Sequence, residues 1–173
     1  MTITIRPCTH EDAPALALIA QTTFFETFAE VVAREPMIAH CRDALGVAAH
    51  EAWIAEPDAR LWLAALSHNA TPVGYAGLAA PDIVGVALLP GDIELKRIYV
   101  MAPYLNRPIG VLLLQAALAE AAAMGKRRML LAVYATNARA LAFYRKHGFT
   151  QIGAKPYIVG GAPYELLIFA RPL

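Results

Sequence analysis

The 173 residues carry a formal net charge of +1, 17% charged and 58% hydrophobic residues, and a mean hydropathy of +0.45. A chain of this size is expected to build one substantial core, and so small a charge gives no basic field for a nucleic acid. Much of the apolar content is alanine, and no stretch reaches about eighteen strongly apolar residues free of charge or proline, so no membrane span is expected.

The opening MTITIRPCTHED has neither the basic nor the apolar region of a signal peptide. Cys8 and Cys41 lack disulfide or zinc spacing, so the expectation is a cytoplasmic protein with two reduced thiols. Thr2 to Arg6 alternates threonine and isoleucine, a strand at period two. Thr9-His-Glu-Asp12 has the form of a capping box, with Asp where Glu or Gln is usual. The helix that it opens carries Ala15, Leu16, Leu18, Ile19, Phe24 and Phe25 and ends near Phe28. Pro14 falls about one turn in, where it would forfeit a bond to the carbonyl of His10. Two short helices follow, Pro36 to Leu45 and Val47 to Ile54, closed by Glu56-Pro-Asp58. Arg60 to Ser67 and Pro72 to Ala79 read as a hairpin about the turn His68 to Thr71, and Pro81 to Gly91 as a loop.

The centre of the chain is Ile93 to Gly125, IELKRIYVMAPYLNRPIGVLLLQAALAEAAAMG. Ile98, Tyr99 and Val100 read as a strand that stops at Pro103, and Ile109, Leu112, Leu113, Ala116 and Ala117 as one face of a helix that stops at Gly125. Pro108 falls at the first helical position, where its missing N–H costs the helix nothing. A strand running into a helix N-terminus leaves unpaired N–H groups and a partial positive charge, a place for a phosphate. The strand's apolar residues sit at Ile93 and Leu95, then at Ile98 and Val100, so the period slips by one across Lys96 and Arg97. A β-bulge is expected there. Met129 to Val133 reads as a buried strand, Ala138 to His147 as a helix with Asn137 at its N-cap and Gly148 at its end. Gln151 to Val159 and Tyr164 to Ala170 read as a hairpin around Gly160-Gly161. Without repeats, low-complexity runs or linkers, residues 1–173 are expected to form a single α/β domain.

The stretch NARALAFYRKHGF places Asn137, then Ala140, then Tyr144, then Gly148-Phe149. This order resembles the second signature of the GNAT acetyltransferase superfamily, and Ile93 to Gly125 resembles that superfamily's acetyl-CoA-binding motif. The resemblance implies a mixed, mostly antiparallel central sheet flanked by helices, with acetyl-CoA held between two splayed central strands. It makes the chain a single acyl-CoA N-acyltransferase domain, an enzyme that needs no metal.

On this resemblance, the backbone of Ile98, Tyr99 and Val100 pairs with the pantetheine arm as another strand would. The pyrophosphate falls to Leu105, Asn106, Arg107, Pro108, Ile109, Gly110 and Val111. The superfamily's usual pattern there is Gln or Arg, two residues, Gly, one residue, then Gly or Ala. Here Leu105 replaces the leading residue and Pro108 the first glycine, while Gly110 is retained. Pro108 removes one N–H from the cradle, and a hydrogen bond to a charged group is worth roughly 1.5–3 kcal/mol. Its loss weakens binding by about ten- to a hundredfold unless Arg107 compensates as a charged donor.

Tyr144 is implied as the acid that protonates the departing thiolate, against the plainer reading of an aromatic packed with Phe143 and Phe149. Asn137 is implied to touch the cofactor besides capping its helix, and Phe143 and Lys146 are further candidate contacts. Glu94, just before the bulge, matches the place where related enzymes hold a carboxylate base. Glu26, a carboxylate among the aromatics of TTFFETF, is its rival and suits a cationic substrate. Phe25 and Tyr157 join Glu26 as candidate acceptor contacts. His10, His40, His50, His68 and His147 do not cluster in sequence, and none is assigned.

The TTFFETF stretch, the two short helices after it and the ending GFTQIGAKPYIVGGAPYELLIFARPL look like the bacterial spermine/spermidine N-acetyltransferase branch. That implies a polyamine or another primary amine as acceptor, with Glu26, Glu30, Asp92 and Glu94 as the acidic residues on offer. Three readings follow: an N-acetyltransferase acting on a small amine in a ternary complex, a protein lysine or N-terminal acetyltransferase, and a non-catalytic acyl-CoA-binding regulatory domain. A homodimer is compatible with the apolar excess and the final hairpin.

Overall fold

In the computed structural model, which describes residues 2–159 and 162–173, a sheet of seven strands is flanked by five α-helices. The strands are β1 (Ile3–Pro7), β2 (Arg60–Leu66), β3 (Pro72–Ala79), β4 (Asp92–Val100), β5 (Arg128–Tyr134), β6 (Thr150–Val159) and β7 (Ala162–Pro172). Their order across the sheet is β1-β2-β3-β4-β5-β7-β6, and every pairing is antiparallel except that of β4 with β5. The helices are α1 (Ala13–Phe28), α2 (Arg34–Asp43), α3 (Val47–Ala55), α4 (Ile109–Ala123) and α5 (Ala138–Lys146). Among the described residues no helix is long and apolar enough to cross a membrane.

The sheet separates two apolar layers. On one face α4 sets Ile109, Leu113, Leu114, Ala117 and Ala121 against Ala76, Leu78, Ile93 and Leu95. On the other, α1 contributes Leu16, Ile19 and Ala20 to a cluster with Leu45, Leu61, Leu63 and Tyr75. Burying a side chain of leucine or isoleucine size is worth about 1.5–3 kcal/mol, so these two layers fix which face of each strand is which.

Three expected boundaries move, each for a local reason. Thr9 and Asp12 do form the anticipated box, Asp12 Oδ2 accepting from Thr9 N–H at 2.7 Å, but they open a 3-10 turn, His10–Asp12. The α-helix begins after it, which puts Pro14 at the second position, where no bond is forfeited. The second helix starts at Arg34 rather than Pro36, because proline is tolerated anywhere in the first turn. Pro108 stands one residue earlier than expected, at the N-cap of α4, with φ −74° and its carbonyl accepting from Leu112 N–H at 2.9 Å. The final hairpin is present as β6 and β7; its expected turn at Gly160-Gly161 lies outside the described residues.

Candidate active site

The bulge is where the sequence placed it, and it decides what the centre of the sheet presents. Gly77 pairs with Arg97 and Leu78 with Leu95, so Lys96 is the inserted residue. Ile93, Leu95, Ile98 and Val100 then all pack on the α4 side. Glu94, Arg97 and Tyr99 share the opposite face, across from Ala79, Gly77 and Tyr75. In a regular strand Glu94 and Arg97, three residues apart, would point to opposite faces.

The same strand loses a neighbour. β4 pairs with β3 along its length but with β5 only at Asp92↔Arg128, Ile93↔Met129 and Glu94↔Leu130. Beyond Glu94 the parallel strands diverge, and the gap opens into a cavity of about 590 Å³ lined by Glu94, Arg97, Ile98, Tyr99, Tyr134 and Tyr144, among others. It lies at the carboxyl ends of two parallel strands, the usual ligand crevice of such sheets.

Glu94 is 6% exposed, and its Oε2 accepts from Lys96 Nζ at 2.7 Å and from Asp82 N–H at 3.1 Å. Lys96 Nζ also lies 2.6 Å from Asp82 Oδ1, so one ammonium joins two carboxylates. Tyr144 enters from α5, where Asn137, Ala140 and Tyr144 repeat at helical spacing and all line the cavity. Asn137 caps that helix, its Oδ1 accepting from Ala140 N–H at 3.0 Å. Tyr144 packs edge-on against Phe143 and Phe149, and its hydroxyl has no hydrogen-bond partner among the described residues. Burial, with the neighbouring Tyr99 second, pushes this phenol well above its ordinary pKa. It stays protonated, as a proton donor must.

The loop before α4 has the features of an anion cradle. Among the described residues the first N–H of the helix with a backbone acceptor is that of Leu112, which leaves those of Ile109, Gly110 and Val111 directed outward. A β-carbon added at Gly110 would meet only the Phe143 ring, at 3.7 Å, so the space before this backbone is open. Arg139 Nη2 donates to the Leu105 carbonyl at 2.7 Å and fixes the loop, while Asn106 and Arg107 are exposed and the Arg107 guanidinium carbon lies 5.8 Å from the centre of the Tyr104 ring. Three free donors, an uncrowded glycine and two nearby guanidinium groups fit the phosphates of acetyl-CoA despite Pro108.

Other candidates lie further out. Phe25 is 58% exposed, and Glu26 Oε2 accepts from Ala102 N–H at 2.9 Å, holding the 3-10 turn Ala102–Tyr104; neither lines the cavity. Phe24 and His40 do line it, stacked at 4.3 Å between ring centres, and Tyr157 lines it from β6. Lys146 is exposed, and Phe143 lies behind Gly110 rather than on the wall. Among the described residues there is no group of three or more His, Cys, Asp or Glu that could hold a metal ion, and Cys8 and Cys41 are free.

Sequence reasoning passed over Arg97, Trp53, Lys96 and Arg139. Two signals were there: the slip that put Ile98 and Val100 with Leu95 also puts Arg97 with Glu94, and glycine inside the strand at 77 marks a close approach. Trp53 makes that approach; a β-carbon on Gly77 would lie 2.3 Å from its indole.

Residues 22–149 match the family model described as the acetyltransferase (GNAT) family. An uncharacterised N-acetyltransferase of Mycobacterium tuberculosis is 30% identical over 162 residues, covering 94% of this chain and 98% of its own length. Among solved structures, PaiA N-acetyltransferase from Thermoplasma acidophilum in complex with coenzyme A superimposes with a TM-score of 0.79 at 22% identity over 100% of both chains. A GNAT-family acetyltransferase from Streptococcus pneumoniae gives 0.72 at 23% identity over 99% of this chain and 100% of its own. The parting of β4 from β5, the capped helix that carries Tyr144 and the sequence match over residues 22–149 agree: this chain belongs to the GNAT acetyltransferase family.

Proposed function

We propose that residues 1–173 work as a single cytoplasmic acyltransferase domain that moves an acetyl group from acetyl-CoA to a primary amine of a small molecule, by direct attack in a ternary complex. The observation that carries this reading is the cavity between β4 and β5, which brings a buried carboxylate, Glu94, and a phenol, Tyr144, without a hydrogen-bond partner among the described residues, to one space. At about 590 Å³ it falls within the size range of small-molecule sites.

Acetyl-CoA supplies a thioester carbonyl when bound. The unpaired edge of Ile98, Tyr99 and Val100 offers strand-like hydrogen bonds to its arm, and Ile109, Gly110 and Val111 offer N–H groups to its phosphates. Glu94, directly or through water, accepts one proton of the incoming ammonium. As the C–N bond forms and the C–S bond breaks, Tyr144 gives its proton to the sulfur and regains the second proton released by nitrogen. One proton leaves through Glu94 for each amide and each CoA thiol made.

A polyamine acceptor is the finer reading suggested by the ending of the sequence and competes with other small amines. A non-catalytic acyl-CoA-binding role is disfavoured by the free phenol of Tyr144. The test is thiol release from acetyl-CoA across a panel of amines and peptides. Turnover of a small amine that collapses in Tyr144→Phe supports the reading; turnover confined to peptides, or none with any amine, refutes it.

A further inference from the structure

We propose that the amine acceptor carries a carboxylate and that Arg97 binds it. The inference rests on the cavity being the acetyl-transfer site, and it names the acceptor class that this site takes.

Arg97 lines the cavity without an ion pair among the described residues, and its polar neighbour is the buried Tyr75 hydroxyl. The other described cations of the sheet centre are committed: Lys96 to Asp82 and Glu94, Arg128 to Asp92. What holds Arg97 is Trp53, whose ring centre lies 5.2 Å from the guanidinium carbon. Trp53 in turn reaches β3 only because residue 77 has no side chain, since its indole fills the place of a β-carbon there. A guanidinium carries five N–H donors, so one turned to the Tyr75 hydroxyl leaves others to take a carboxylate through two parallel hydrogen bonds.

The distance to the chemistry is set by the bulge. Glu94 and Arg97 face Ala79 and Gly77, two residues apart on β3, which is about 7 Å along a strand. A compact amino acid can therefore offer its amine near Glu94 and its carboxylate to Arg97. Charge points the same way. The cavity lining holds Lys96, Arg97 and Lys155 against Glu56, Asp82 and Glu94, a balance that a zwitterion leaves unchanged. A polyamine with its reacting amine at the same place would set a second ammonium against Arg97.

The experiment compares the twenty amino acids, their carboxamides, the matching amines without the carboxyl group, and spermidine, by thiol release from acetyl-CoA. The expected result is a best amino acid with kcat/KM at least about tenfold above its carboxamide and above spermidine. Arg97→Gln is expected to bring the acid-to-amide ratio near one, chiefly through KM, with the acetyl-CoA Kd unchanged; Arg97→Lys is expected to keep part of the preference. A role in folding alone would not move that ratio. Amides or spermidine turned over as well as the acids by the unaltered protein would overturn the inference, as would a preference that survives in Arg97→Gln. Acetyl-CoA binding without turnover of any amino acid would also overturn it. Failure to bind acetyl-CoA would instead overturn the proposed function, and this inference with it.

Discussion

Lys96 Nζ lies 2.7 Å from Glu94 Oε2, with the two side chains 20% and 8% exposed. Breaking so sheltered a pair by removing one partner leaves a buried charge uncompensated and costs about 3–5 kcal/mol. Lys96→Met is accordingly expected to lose about 3 kcal/mol in urea unfolding. The double variant Glu94→Gln, Lys96→Met is expected to regain most of that loss, because it removes both charges. A double variant no more stable than Lys96→Met alone would contradict the coupling.

Glu94→Gln by itself keeps the size of the side chain and removes the base. A loss of about 10²–10⁴ in kcat is expected, with little change in the Kd of acetyl-CoA. Equal activity in this variant would move the base elsewhere in the cavity, and Glu56 would be the next carboxylate to test.

Tyr144→Phe is expected to lower kcat by about 10²–10³ while leaving acetyl-CoA binding and Tm near their original values. Burial raises the pKa of this phenol, so its acid form persists at least to the ordinary tyrosine pKa of about 10. The kcat profile should then have no descending alkaline limb below about pH 10. A limb near neutrality that disappears in Tyr144→Phe would contradict this assignment.

How much of this could be read without coordinates depended on whether the information was local. The β4 bulge was legible because four apolar residues record which face is buried, and α5 because Asn137, Ala140 and Tyr144 repeat at the period of a helix. Phe25 and Glu26 were drawn toward the site by belonging to an aromatic cluster, but a helix distributes neighbours around its circumference. Phe24 faces His40 and the cavity, while Phe25 faces solvent. Trp53 on Gly77, and Arg139 on the carbonyl of Leu105, depend on chain segments brought together only by the fold.

Asp12 links β1 to the first helical turn through Arg6, at 2.6 and 2.8 Å, and through Thr9. The Arg6 guanidinium, with the Thr9 N–H, holds its carboxyl pKa down to about 2. A folded-state pKa below the unfolded value stabilises the protein above about pH 4, and that contribution is lost as pH falls through the folded value. Since Arg6 is half-exposed, the contribution is on the order of 1–2 kcal/mol. Asp12→Asn should lose this at pH 7 and show a shallower decline in unfolding free energy between about pH 4 and pH 2. Parallel declines in the two proteins would count against the pair.

The measurement that bears most directly on the central claim is a calorimetric titration of the protein and of Gly110→Asp with acetyl-CoA. A β-carbon at this position meets nothing closer than the Phe143 ring at 3.7 Å, and an acid in the first turn suits the helix, but its carboxylate stands among the N–H groups that the phosphates need. Binding in the micromolar range is expected for the unaltered protein, with the variant binding at least about tenfold more weakly although its Tm is unchanged or higher. Failure of the unaltered protein to bind, or equal binding by a folded Gly110→Asp, would contradict the placement of the acetyl-CoA phosphates at the N-terminus of α4.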